Sequence, residues 1–119
     1  MNETQIKEDL SELVQKKAYR RAANLASMLG KPQDEIIRLQ EKALWQMSAV
    51  YRNGSGTKRI AMDYGLSRQK VKELLMRMAD ESGKGNEARE LEPSYDHGTA
   101  TYISFKEWLE LFDKRWERL

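Results

Sequence analysis

The chain contains no cysteine. That absence excludes disulfide staples, thiolate metal sites and nucleophilic cysteine chemistry, and it fits a reducing compartment. Histidine occurs once, as His97 beside Asp96, and a lone histidine lacks both the co-ligands of a metal site and the nucleophile of a catalytic triad. No apolar run approaches the length of a membrane span. The first residues, MNETQIKEDLSEL, carry acids and amides where a secretory signal would place basic residues and an apolar stretch, so the expected compartment is the cytoplasm. The two prolines, Pro32 and Pro93, and the seven glycines, at 30, 54, 56, 65, 83, 85 and 98, all fall at apparent breaks. The segments between them are therefore free of the residues that most often interrupt helices.

What is present fits a folded soluble chain. Apolar residues make up 39% and charged residues 34% of 119, too apolar for disorder and too polar for a membrane protein, and the length suits one globular unit. Net charge is only +2, but its distribution is uneven. Arg52, Lys58, Arg59, Arg68, Lys70, Lys72, Arg77 and Lys84 face only Asp63, Glu73, Asp80 and Glu81 between positions 52 and 84. A local basic excess of this kind is where a polyanion would be met.

Periodicity then divides the chain. Ile6, Leu10, Leu13, Val14, Ala18, Ala22, Leu25 and Leu29 lie at helical spacing in a segment from about Asn2 that Gly30 stops, read as one helix or two. Pro32 opens a second helix whose stripe is Ile36, Leu39, Ala43, Leu44, Met47, Val50 and Tyr51. These N-terminal helices cover 1–53. The Gly54-Ser55-Gly56-Thr57-Lys58 run lacks the preceding strand and the Gly-Lys-Ser/Thr order of a phosphate loop and reads as a linker, with Thr57 capping the next helix. Across 57–81 follow a short helix to Tyr64, a turn at Gly65-Leu66 and a helix capped by Ser67. Within 86–103, Arg89-Glu90-Leu91-Glu92 and Thr99-Ala100-Thr101-Tyr102-Ile103 read as two strands of a small wing between Arg89 and Ile103. Ser104-Phe105-Lys106-Glu107 has the form of a capping box opening an amphipathic helix over 104–119, with Phe105, Trp108, Leu109, Phe112, Trp116 and Leu119 on one face.

The stretch KRIAMDYGLSRQKVKELL, from Lys58 to Leu75, resembles the helix-turn-helix of prokaryotic DNA-binding transcriptional regulators over about 57–78. Ile60 and Ala61 match the aliphatic and small positions where the two helices of that superfamily cross. Gly65 matches its turn glycine, Leu66 its buried turn residue, and Val71 and Leu74 the apolar positions of its second helix. The resemblance implies double-stranded DNA binding by a small, winged-helix type of regulator. Ser67, Arg68, Gln69 and Lys72 are then expected toward the major groove, and Thr57, Lys58, Arg59 and Lys70 on phosphates. Leu25 to Leu39 aligns without gaps with Ile60 to Leu74, pairing Ala26 with Ala61 and Gly30 with Gly65. Lys31, Asp34 and Glu35 in that upstream stretch suit a scaffold copy better than a phosphate contact, the alternative reading being two ordinary helices with a Gly-Pro joint.

The expected fold is mainly α, a helix-turn-helix bundle of about five helices with a small two-stranded wing. No catalytic, metal or cofactor site is expected. The alternative is a protein-interaction module that keeps the helix-turn-helix as scaffold and docks a partner on its aromatic C-terminal helix. Trp108, Phe112 and Trp116 on that helix are also the material for a homodimer contact, against the competing reading that they cover the back of the motif within one chain.

Overall fold

Each helix of the chain begins or ends on an identifiable local signal. The computed structural model describes residues 9–83 and 91–119, and the described residues are mainly helical with one two-stranded antiparallel sheet. They fall into two compact units, one ending at Ala43 and one starting at Leu44, where the sequence reads as a single globular unit. Among the described residues no helix is long and apolar enough to cross a membrane.

In the first unit, α1 (Leu10–Gln15) starts where the Asp9 carboxylate accepts from the Ser11 amide. The expected long N-terminal segment is two helices, because the chain turns at Lys17, whose φ is +60°, before α2 (Tyr19–Met28). Residues 2–8 of that segment lie outside the described residues. After Gly30 and Pro32 comes α3 (Gln33–Trp45), whose last two residues belong to the second unit. Leu13, Ala22, Ala23, Leu25, Ala26, Ile36 and Leu39 form the core of the first unit, and the Lys42 ammonium sits 5.5 Å from the centre of the Tyr19 ring.

The second unit opens with a π-helical turn, Gln46–Val50, that continues α3. Ser48 is fully buried there, and its hydroxyl donates to the Leu44 carbonyl at 2.8 Å. The wider turn rotates the helix face, so Val50 and Tyr51, expected on the apolar stripe, are exposed. Helix α4 (Gly54–Asp63) is capped by Asn53, whose side chain accepts from the Gly56 amide at 2.8 Å. Gly54 to Thr57 are thus the first turn of a helix and not a linker. Helix α5 (Arg68–Ser82) is capped by Ser67, as expected.

Strands β1 (Ser94–Asp96) and β2 (Thr101–Ile103) pair antiparallel, Tyr95 opposite Tyr102. The first strand therefore lies in the stretch read as a loop. Leu91 and Glu92 are outside it, and Arg89 and Glu90 lie outside the described residues. The physical reason is the turn: Asp96 accepts from the Thr99 amide (2.7 Å) and hydroxyl (2.9 Å), closing the chain directly after Asp96. Helix α6 (Phe105–Arg115) starts with the full capping box of Ser104 and Glu107 and ends in a 3₁₀ turn, Trp116–Arg118. Its Phe105, Trp108, Leu109 and Phe112, with Trp116, pack with Leu44, Trp45, Ile60, Ala61, Val71, Leu75 and Ile103 in one core. The aromatic stripe is buried within the unit.

Candidate functional site

The segment carrying the basic excess is built from α4, the turn at Gly65 and α5. Ala61 is fully buried and Ile60 nearly so, and Val71, Leu75 and Ala79 on α5 are equally closed, so both helices turn an apolar face into the same core. The turn between them has Gly65 at φ +71°, with the Gly65 amide bonded to the Met62 carbonyl (3.0 Å) and the Leu66 amide to the Ala61 carbonyl (2.9 Å). This is the Schellman closure that a glycine after the last helical residue permits. The turn after α2 closes the same way: Gly30 has φ +70°, its amide donates to the Ser27 carbonyl, and the Lys31 amide donates to the Ala26 carbonyl.

The eight residues expected to meet DNA do not share one environment. Thr57 is fully buried, and its hydroxyl donates to the Asn53 carbonyl at 2.7 Å, so it faces the helix start and no ligand. The Lys58 ammonium donates to the carbonyls of Trp116 (2.7 Å) and Leu119 (3.3 Å) and lies 5.2 Å from the Trp116 ring centre. It holds the last turn of the chain. Arg59, Ser67, Arg68, Gln69 and Lys70 are exposed. Ser67 uses its hydroxyl to accept from the Lys70 amide (3.1 Å), and Gln69 donates to Glu73 on the same helix (3.0 Å).

Arg68 and Lys72 meet acids that the sequence reading did not assign to them. Arg68 donates through Nε to Asp113 Oδ1 (2.8 Å) and through Nη2 to Asp113 Oδ2 (3.3 Å). The Lys72 ammonium lies 3.4 Å from Asp113 Oδ2 and 3.5 Å from Glu110 Oε1. Hydrogen bonding from Arg68 holds the Asp113 carboxyl below the usual carboxylate value; burial opposes this, and the bond from Lys72 with the two positive charges adds to it. Asp113 and Glu110 stand on α6 one turn apart, and Glu107, a further turn toward the helix start, belongs to the capping box.

Other members of the basic stretch have structural work. Arg52, at φ +50°, donates to the carbonyls of Ala49 and Glu92, each at 3.0 Å, and lies over the Phe105 ring, tying the π turn to the approach to the hairpin. Lys84 lies outside the described residues. His97 is exposed in the turn after β1, its ring 5.0 Å from that of Tyr95, and Tyr95 and Tyr102 form an exposed aromatic pair on the hairpin. Among the described residues no group of three or more His, Cys, Asp or Glu side chains is placed to hold a metal ion. Comparison of the chain with family models, with curated proteins and with solved structures finds no match.

Proposed function

We propose that the second unit binds double-stranded DNA through a helix-turn-helix made of α4, the Gly65 turn and α5, in the role of a small transcriptional regulator. The observation that carries this reading is the first turn of α5. Its back face, Val71 and Leu75, is closed into the core, while Arg68, Gln69 and Lys70 at its N-terminal end are exposed. An N-terminal turn presented outward from a rigid base is what major-groove reading requires. Arg68 and Gln69 are the base-reading candidates. Arg59 and Lys70, exposed cations on the two helices, are the phosphate contacts, and the β1–β2 hairpin serves as the wing.

The reading narrows the expected site. Thr57 and Lys58 support the fold, and Lys72 acts beside Asp113. Docking a partner on the aromatic face of α6 is less favoured, because Trp108, Phe112 and Trp116 lie in the core of the unit. A homodimer spanning two half-sites would use other surfaces.

Fluorescence anisotropy of the full chain with a labelled random-sequence duplex, taken across a salt series, tests the reading. The logarithm of the binding constant should fall linearly with the logarithm of salt concentration, and Arg59→Ala or Lys70→Ala should each reduce the slope by about 1. Absence of salt-dependent binding in the parent overturns the reading.

A further inference from the structure

The pairing of Arg68 with Asp113 is side-on: Nε and one hydrogen of Nη2 are engaged by the carboxylate, at 2.8 and 3.3 Å. A guanidinium has five N–H donors in a rigid plane, so this pairing leaves one Nη1 and one Nη2 hydrogen side by side on the outer edge, with the other Nη1 hydrogen turned toward Cδ. The Arg68 side chain is 47% exposed, whereas Asp113 is 16% exposed. The carboxylate is therefore the inner partner and the guanidinium the outer one.

Asp113 is itself fixed. It stands on α6 directly after the buried Phe112, and Lys72, one turn along α5 from Arg68, lies 3.4 Å from its Oδ2. Two helices that share a core thus hold one arginine by its inner edge. The free edge has the spacing that pairs with two adjacent acceptors, and in the major groove guanine offers such a pair in O6 and N7.

We propose that Asp113 is a positioning residue that presents the outer edge of Arg68 to a guanine; this rests on the DNA-binding reading above. The opposing possibility is that Asp113 and Glu110 only mask positive charge. The two differ in sign. A mask, once removed, tightens binding to every sequence equally, whereas loss of a positioning carboxylate weakens one base preference and leaves the others.

The test is selection of bound sequences from a random duplex library by the full chain and its variants. The parent should enrich a site with one guanine preferred by about tenfold or more over other bases. Asp113→Asn and Arg68→Ala should both lose that preference and keep the remaining positions, and Asp113→Glu should restore part of it. Should Asp113→Asn fail to fold, Asp113→Ser carries the test, because it also removes the carboxylate that holds Arg68 and the guanine preference must fall. A guanine preference retained in Asp113→Asn, or retained in Asp113→Ser, overturns the inference while DNA binding stands. Uniform tightening in Asp113→Asn overturns it in favour of masking. A parent that enriches no sequence removes both the inference and sequence-dependent DNA binding.

Discussion

Four helix ends among the described residues close through a residue of positive φ: Lys17 at +60°, Gly30 at +70°, Arg52 at +50° after the π turn, and Gly65 at +71°. At Gly65 a built Cβ would meet nothing within 4 Å, so substitution there is opposed by backbone conformation alone. Gly65→Ala should cost about 1 kcal/mol in urea denaturation, and Gly65→Asn less, since asparagine tolerates this region better. Lys17 pays the opposite way, because a β-carbon already occupies the strained conformation: Lys17→Gly should stabilise the first unit by about 0.5–1 kcal/mol, read by circular dichroism. Glycine marks Gly30 and Gly65 for any reader of the sequence; lysine carries no such signal, which is why periodicity alone reads the α1–α2 segment as one helix or two. Asp113 was illegible for a different reason. Its partner Arg68 is 45 residues away, and pairing at that distance depends on how α5 and α6 share a core. The same pair sets a pH dependence. Because Asp113 titrates lower in the folded chain than when unfolded, the native state holds fewer protons below about pH 4, and acidification there favours unfolding. The stability this carboxylate contributes is present above that range and lost as pH falls through its folded value. Asp113→Asn should accordingly flatten the acid limb of a stability profile relative to the parent.

At the scale of elements, caps with a serine pattern were legible, the Asn53 cap of α4 was hidden behind a glycine-rich run that reads as a linker, and the boundary set by a side chain bonding back to the backbone was not legible. Ser67 and the Ser104–Glu107 box are caps with a sequence pattern, and both stand where that pattern puts them. The π turn at Gln46–Val50 has none: the buried hydroxyl of Ser48 bonds back to Leu44, and a serine in mid-helix reads as unremarkable until its burial is known. The hairpin shifted for a similar reason, since Asp96 reads as a loop residue and Thr99 as a strand residue, and their bond closes the turn that aligns Tyr95 with Tyr102. That carboxylate also lies 3.6 Å from Arg115 on α6, linking the turn to the core helix. Asp96→Ala removes the acceptor of both Thr99 bonds and should cost about 1–2 kcal/mol, measured as a lower urea midpoint by tryptophan fluorescence with the slope unchanged. An unchanged midpoint would mean that the hairpin is held by Ile103 and Arg52 alone.

For the whole molecule, the division into two cores has a direct consequence for unfolding. The first unit ends at Ala43, close to the length of about 40 residues below which a single core is rarely sufficient. Its core is built largely from alanine, Ala22, Ala23 and Ala26, with Leu13, Leu25, Ile36 and Leu39, and alanine buries little apolar area for each ordered residue. The second unit buries Phe105, Phe112 and all three tryptophans, Trp45, Trp108 and Trp116. Its core should therefore be the more stable of the two. Tryptophan fluorescence then reports the second unit, while far-ultraviolet circular dichroism reports helices of both. Urea denaturation followed by the two probes should not superimpose: helical signal should begin to fall at lower urea than the fluorescence changes. A truncated chain beginning at Leu44 should retain the fluorescence transition and, on the proposed reading, bind DNA as the full chain does, because Arg59, Gln69, Lys70 and the Arg68–Asp113 pair all lie beyond that point. Coincident transitions in the full chain, or a truncated chain that fails to fold, would show instead that the two cores unfold as one cooperative body.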